Sequence, residues 1–265
     1  MQVMARHNVT VSGTDGSPVI LFAHGFGCDQ HMWRLVTPAF EADFQVVAFD
    51  YVGAGGSDLD AYDSEKYSTL AGYAADVIEI VEQLDRGPVT FVGHSVSTMI
   101  GVLASIERPD LFERLVLVGP SARYIDDGDY VGGFSAADID ELLESMDSNY
   151  LGWSHAITPV IMGNADQPEL AAELDDSFCR TDPEIARRFA AVTFRSDNRD
   201  DLLKVSVPTL VLQSRHDAIA PLSAGELVRD RVPGASFVLL DADGHCPHLS
   251  APGPTAAAIR EFVRA

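Results

Sequence analysis

Short apolar runs alternate along the chain with segments whose apolar residues recur at helical spacing. The runs at 19–23 (VILFA), 45–49 (QVVAF), 89–92 (VTFV), 115–118 (LVLV), 209–213 (TLVLQ) and 236–240 (SFVLL) predict strands. Several show no polar alternation, as expected of parallel strands covered on both faces. Between the second and third, Leu70, Tyr73, Ala74, Val77, Ile80, Val81 and Leu84 fall on one face of a helix. Residues 85–88 (DRGP) then break it. Strand, helix, strand in this order predicts right-handed crossovers and an α/β fold, a mostly parallel central sheet flanked by helices.

The rhythm stops between about residues 122 and 195, where no strand stands out. Helix starts replace it. Ser135 with Asp138 three residues on reads as an N-cap with an acid in the first turn. Pro168 and Pro183 each occupy a first helical position. Phe134, Trp153, Phe178, Phe189 and Phe194 give the segment its aromatic content. The expected division is a first core part at 1–121, a helical insertion at 122–195 and a second core part at 196–265. An insertion over the carboxyl ends of strands is where a lid would sit.

Composition narrows the function. With 18 basic and 40 acidic residues, the formal net charge is −22. That charge repels phosphate backbones and anionic membranes, so neither nucleic acid nor membrane is an expected partner. No apolar stretch has the length of a signal peptide core or a membrane span. Cys28, Cys179 and Cys246 cannot all pair and lack metal-ligand spacing, which fits a reducing cytoplasm.

The chemistry begins at Gly93-His94-Ser95-Val96-Ser97, between an apolar strand and a helical pattern. A serine is useful as a nucleophile when a sharp turn holds its oxygen clear of the sheet, with small residues two places before and after. The usual pattern is G-x-S-x-G, and here the last position is a serine. A nucleophilic serine needs a base, and the base needs a carboxylate to fix its tautomer. Asp217 lies just beyond the run 209–213, and His245 lies in the loop beyond 236–240. Serine, acid and histidine thus follow one another, each after its own strand. Val96, after the nucleophile, and Phe26, in the HGFG loop after 19–23, are the expected oxyanion donors.

Other features carry less. His245, Cys246 and His248, with Asp241 and Asp243, match no known ligand spacing, so no metal is assigned. Residues 53–58 (GAGGSD) lack the last glycine of a dinucleotide loop, and no cofactor is expected. His24 and His94 read as structural, and His216 as a solvated neighbour of Asp217.

The same residues resemble the α/β-hydrolase superfamily. HGFGCDQHMW, FDYVGAGGSDLDAYD, GHSVSTMIGVLASIERPDLF, YVGGF, NYLGW, FCRTDP and GHCPHLS extend the likeness over nearly the whole chain. They look like the RsbQ type of bacterial stress-regulatory hydrolase and are similar to the plant karrikin and strigolactone receptors. The FDYVGAGGSD segment leans to the bacterial branch, and the GHSVS elbow looks more like the receptors. The resemblance implies an α/β-hydrolase fold, a four-helix lid over an apolar pocket, and slow hydrolysis coupled to signalling. It places Tyr124, Phe134, Trp153, Phe194 and Ile219 as pocket candidates. The expected ligand is a small, apolar, ester- or lactone-like compound. A regulatory protein such as a sensor phosphatase is the expected partner type. The alternatives are a ligand sensor with little turnover and a carbon–carbon-bond hydrolase on the same triad.

Overall fold

The computed structural model describes residues 2–265. Seven strands form one sheet: β1 (Thr10–Gly13), β2 (Val19–Ala23), β3 (Gln45–Phe49), β4 (Val89–His94), β5 (Phe112–Val118), β6 (Thr209–His216) and β7 (Ser236–Asp243). Their spatial order is β1-β3-β2-β4-β5-β6-β7, and every neighbouring pair is parallel except β1 with β3. The strands are longer than the apolar runs at 89–92, 115–118, 209–213 and 236–240, and coincide with those at 19–23 and 45–49. β1 carries no apolar run. All four of its residues are exposed, and backbone pairing with β3 holds it at the sheet edge.

Apolar side chains on alternate positions feed two separate cores. From β2, Val19, Leu21 and Ala23 enter one layer while Ile20 and Phe22 enter the other. The first layer includes α2 (Leu70–Leu84), after the short α1 (Gln2–Arg6), and α3 (Val96–Glu107). Each of the seven apolar positions expected on one face of α2 is buried or packs against this layer. The second layer holds Trp33, Val36 and Phe40 and the apolar side of the C-terminal helix.

Between β5 and β6 run α4 (Ala136–Ser148), α5 (Tyr150–Met162), α6 (Pro168–Arg180) and α7 (Pro183–Phe194). Ser135 and Asp138 exchange side-chain and backbone hydrogen bonds in a capping box that starts α4. Asp182 caps α7, with Pro183 at its first position. Then follow α8 (Leu222–Arg231), α9 (Pro247–Ser250) and α10 (Pro252–Arg264). No helix among the described residues is long and apolar enough to cross a membrane.

Candidate active site

Ser95 stands between β4 and α3 with φ +56° and ψ −122°, a conformation costly for any residue but glycine. Its flanks show why small residues are required. A Cβ on Gly93 would come within 2.7 Å of the Ser97 carbonyl oxygen, and one on Gly25 within 2.6 Å of His94 Nδ1. Ser97, where the usual pattern has glycine, is fully buried. Its hydroxyl donates to the His24 carbonyl and lies 2.9 Å from the Tyr51 hydroxyl, so the extra oxygen is accommodated by hydrogen bonding.

The loops after β4, β6 and β7 converge. Ser95 Oγ lies 2.7 Å from His245 Nε2, and His245 Nδ1 lies 2.7 Å from Asp217 Oδ2. The other Asp217 oxygen accepts the backbone N–H groups of Ile219 (2.8 Å) and Ala220 (3.0 Å). The Asp217 side chain is fully buried and that of His245 is 5% exposed. The carboxylate is therefore held on both oxygens in a site shielded from water.

His245 is also tied through its backbone. Its N–H donates to the carbonyl of Ile161, near the end of α5, at 2.8 Å. Its carbonyl accepts from His94 Nε2 at 2.8 Å, which places the His94 proton on that nitrogen. Burial, reinforced by the neighbouring imidazoles of His248 and His245, holds His94 neutral far below the usual histidine range. His24 is buried and lowered for the same first reason, and its Nε2 accepts from Tyr51 N–H. Both act on loop geometry, as their reading as structural residues implies. His216 is exposed and bonded to Asp243, away from the relay.

Val96 opens α3, so its N–H is one of the first four without an acceptor inside the helix. Phe26 follows β2 between Gly25 and Gly27, the latter at φ +71°. A side chain on Gly27 would overlap the Phe178 ring at 2.3 Å. The Phe26 ring packs edge-on against Trp153, Phe178, Phe189 and Phe194, which fixes the loop carrying its N–H.

Above Ser95 and His245 lies a cavity of about 40 Å3 walled by Phe26, Phe134, Trp153, Phe178, Phe194 and Ile219, among others. Four of the five pocket candidates face it. Tyr124 is the exception: it is buried beside Phe194, ring centroids 5.0 Å apart, and does not wall the space. The sequence pattern left out Leu142, Ile157, Ile161, Leu174 and Phe178, and also Cys28 and Cys246, which line the cavity as well. Helical spacing on α5 and α6 marks apolar faces, but the helix rotation that aims them at the cavity is a tertiary outcome.

The discounted motifs have structural uses. Gly53 N–H bonds Ser57 Oγ and Gly56 N–H bonds Asp50, so the loop at 53–58 spends donors on its own Ser57 and on Asp50 just after β3. Cys246 and His248 lie near His94 in a buried cluster, while Asp241 and Asp243 project from β7.

Residues 20–258 match the family described as the alpha/beta hydrolase family. A karrikin insensitive 2 receptor CA from Petunia hybrida is 43% identical over 94% of this chain and 93% of its own. The strigolactone esterase D14 of Arabidopsis thaliana is 40% identical over 98% of this chain and 97% of its own. A solved hydrolase from Oleispira antarctica is 41% identical, covers 99% of this chain and 96% of its own, and superposes with a TM-score of 0.96.

Proposed function

The chain belongs to the alpha/beta hydrolase family, and from that premise we propose that it is a serine hydrolase of small, apolar, ester- or lactone-like compounds, slow in turnover and linked to signalling. The observation that carries the reading is the unbroken relay Ser95–His245–Asp217 at the floor of an apolar cavity. Ser95 Oγ attacks the acyl carbon as its proton passes to His245 Nε2. Asp217 keeps the His245 proton on Nδ1 and stabilises the imidazolium. The N–H groups of Val96 and Phe26 receive the oxyanion. His245 then returns the proton to the leaving oxygen, and a water activated the same way releases the acid from Ser95.

Residues 122–195 act in this reading as a lid that keeps the cavity apolar. Slow turnover and signalling draw support from relatives named as a karrikin insensitive receptor and a strigolactone esterase. A regulatory protein partner, such as a sensor phosphatase, and a cytoplasmic setting belong to the same proposal. The free state of all three cysteines supports the latter.

A serine-directed sulfonyl fluoride tests the centre: one adduct should form, on Ser95, and Ser95→Ala should abolish it. An unmodified Ser95 peptide in folded protein after long exposure would refute the assignment. For turnover, a chromogenic ester should give a burst and then a rate well below about 10 per second. Fast turnover without any ligand-dependent protein partner would leave a plain metabolic esterase.

A further inference from the structure

Behind the aromatic wall of the cavity, three side chains of different chemistry meet on the outer side of α5 and α6. His155 Nδ1 is hydrogen-bonded to Asp175 Oδ2, and the neighbouring Ser154 hydroxyl donates to Asp175 Oδ1. Cys179 Sγ lies 3.8 Å from the same Oδ1. Asp175 and Cys179 are one turn apart on α6, so they share a face, and His155 reaches them from α5. One donor atom from each of the three lies within 4.8 Å of the other two.

We propose that His155, Asp175 and Cys179 form a binding site for a zinc-type divalent cation that ties α5 to α6. An imidazole nitrogen, a thiolate and a carboxylate together suit zinc, whereas magnesium and calcium take oxygen. Carboxylate and thiolate supply two negative charges to balance the dication, and the net charge of −22 draws cations to the surface. Coordination at about 2.0–2.3 Å brings the donors closer together, which the exposed His155 ring permits. Binding replaces the contacts to Asp175, the His155 ring proton moves from Nδ1 to Nε2 to free the ligating nitrogen, the thiol proton leaves to solvent, and water fills the fourth position.

The site sits directly behind the cavity. Trp153 precedes His155 by two residues, and Leu174 and Phe178 directly precede Asp175 and Cys179, and all three wall the space. A cation here fixes the spacing of the two helices that supply them.

The test is a titration of metal-free protein with Co2+, a coloured stand-in for zinc. One equivalent should produce a thiolate-to-metal absorption band, Zn2+ should displace it, and Cys179 should become protected from alkylation. His155→Ala and Cys179→Ser should each weaken binding more than about tenfold, since even loss of an outer partner costs that much. Cys246→Ser should leave the band intact. No thiolate band in the wild type, or a band that survives both His155→Ala and Cys179→Ser, would overturn the site. A band lost in Cys246→Ser would move the metal to the buried cluster and overturn it equally.

Discussion

Asp217→Asn exchanges one oxygen for an amide nitrogen at almost unchanged volume, and the surrounding donors dictate how the new side chain must sit. One carboxylate oxygen accepts two backbone N–H groups, from Ile219 and Ala220. An amide nitrogen placed there would face two donors, so the carbonyl oxygen of the new amide keeps that position. The NH2 group then faces His245 Nδ1, where Asp217 Oδ2 had stood at 2.7 Å. It can only donate, so Nδ1 becomes an acceptor and the ring proton moves to Nε2. That nitrogen, 2.7 Å from Ser95 Oγ, can no longer take the serine proton. The expected loss is about 10,000-fold in kcat, the scale of wrong-tautomer substitutions in such triads. At 1.36 kcal/mol per tenfold this is about 5 kcal/mol of transition-state stabilisation. KM for a chromogenic ester and the midpoint of thermal unfolding should both change little, because the two backbone bonds survive. Steady-state kinetics beside a melting curve decide the matter. A properly folded Asp217→Asn variant with activity within about tenfold of wild type would refute the tautomer argument.

Ser97→Gly restores the usual elbow pattern yet should destabilise the fold. It leaves the Tyr51 hydroxyl and His24 carbonyl without their buried partner, at about 1–3 kcal/mol, measurable by denaturant unfolding. Trp153→Ala removes a cavity wall and should weaken apolar ligands by less than the about 3–5 kcal/mol of a core truncation, read by calorimetric titration. Stability should fall on acidification below the unfolded histidine pKa near 6.5, because buried His94 and His248 stay neutral while the unfolded chain takes up protons. Each such histidine contributes up to about 1.4 kcal/mol per pH unit, and for His248 this continues until its folded pKa of about 3. His248→Gln should flatten the dependence between about pH 6.5 and 5.

The central parallel strands β2, β4 and β6 were legible because burial on both faces leaves a short apolar run bounded by turn residues, whereas the run at 236–240 belongs to the far edge strand β7, where Val238 and Leu239 are exposed and only Leu240 is buried. The edge strand β1 was not legible: its Thr10–Gly13 side chains are all exposed, and its place rests on backbone pairing that leaves no mark on residue type. The meeting of Ser95, Asp217 and His245 was legible because chain order follows strand order from β4 onward, which brings the three loops to one sheet edge. The cavity was legible only in part. Phe178 and Phe189 are both aromatic residues of the same insertion, yet Phe178 walls the cavity while Phe189 stacks on Tyr73, ring centroids 4.4 Å apart, in the core beneath. Which way each ring turns depends on how α6 and α7 dock, a choice made by packing partners far away in sequence.

A cavity of about 40 Å3 holds a few water molecules, against the roughly 300–1,000 Å3 common for sites that enclose a drug-sized ligand. Entry of an ester therefore has to wait for a wider conformation, and every measured affinity contains the fraction of molecules already in it. Were that fraction about one in a hundred, the apparent dissociation constant would be about a hundredfold weaker than the intrinsic one. Selectivity then has a kinetic side: compounds are sorted by the size of opening they require as well as by the surface they touch. Substitutions outside the cavity wall that favour the wider conformation, leaving contact side chains such as Trp153 in place, would raise apparent affinity for bulky compounds without adding a single contact.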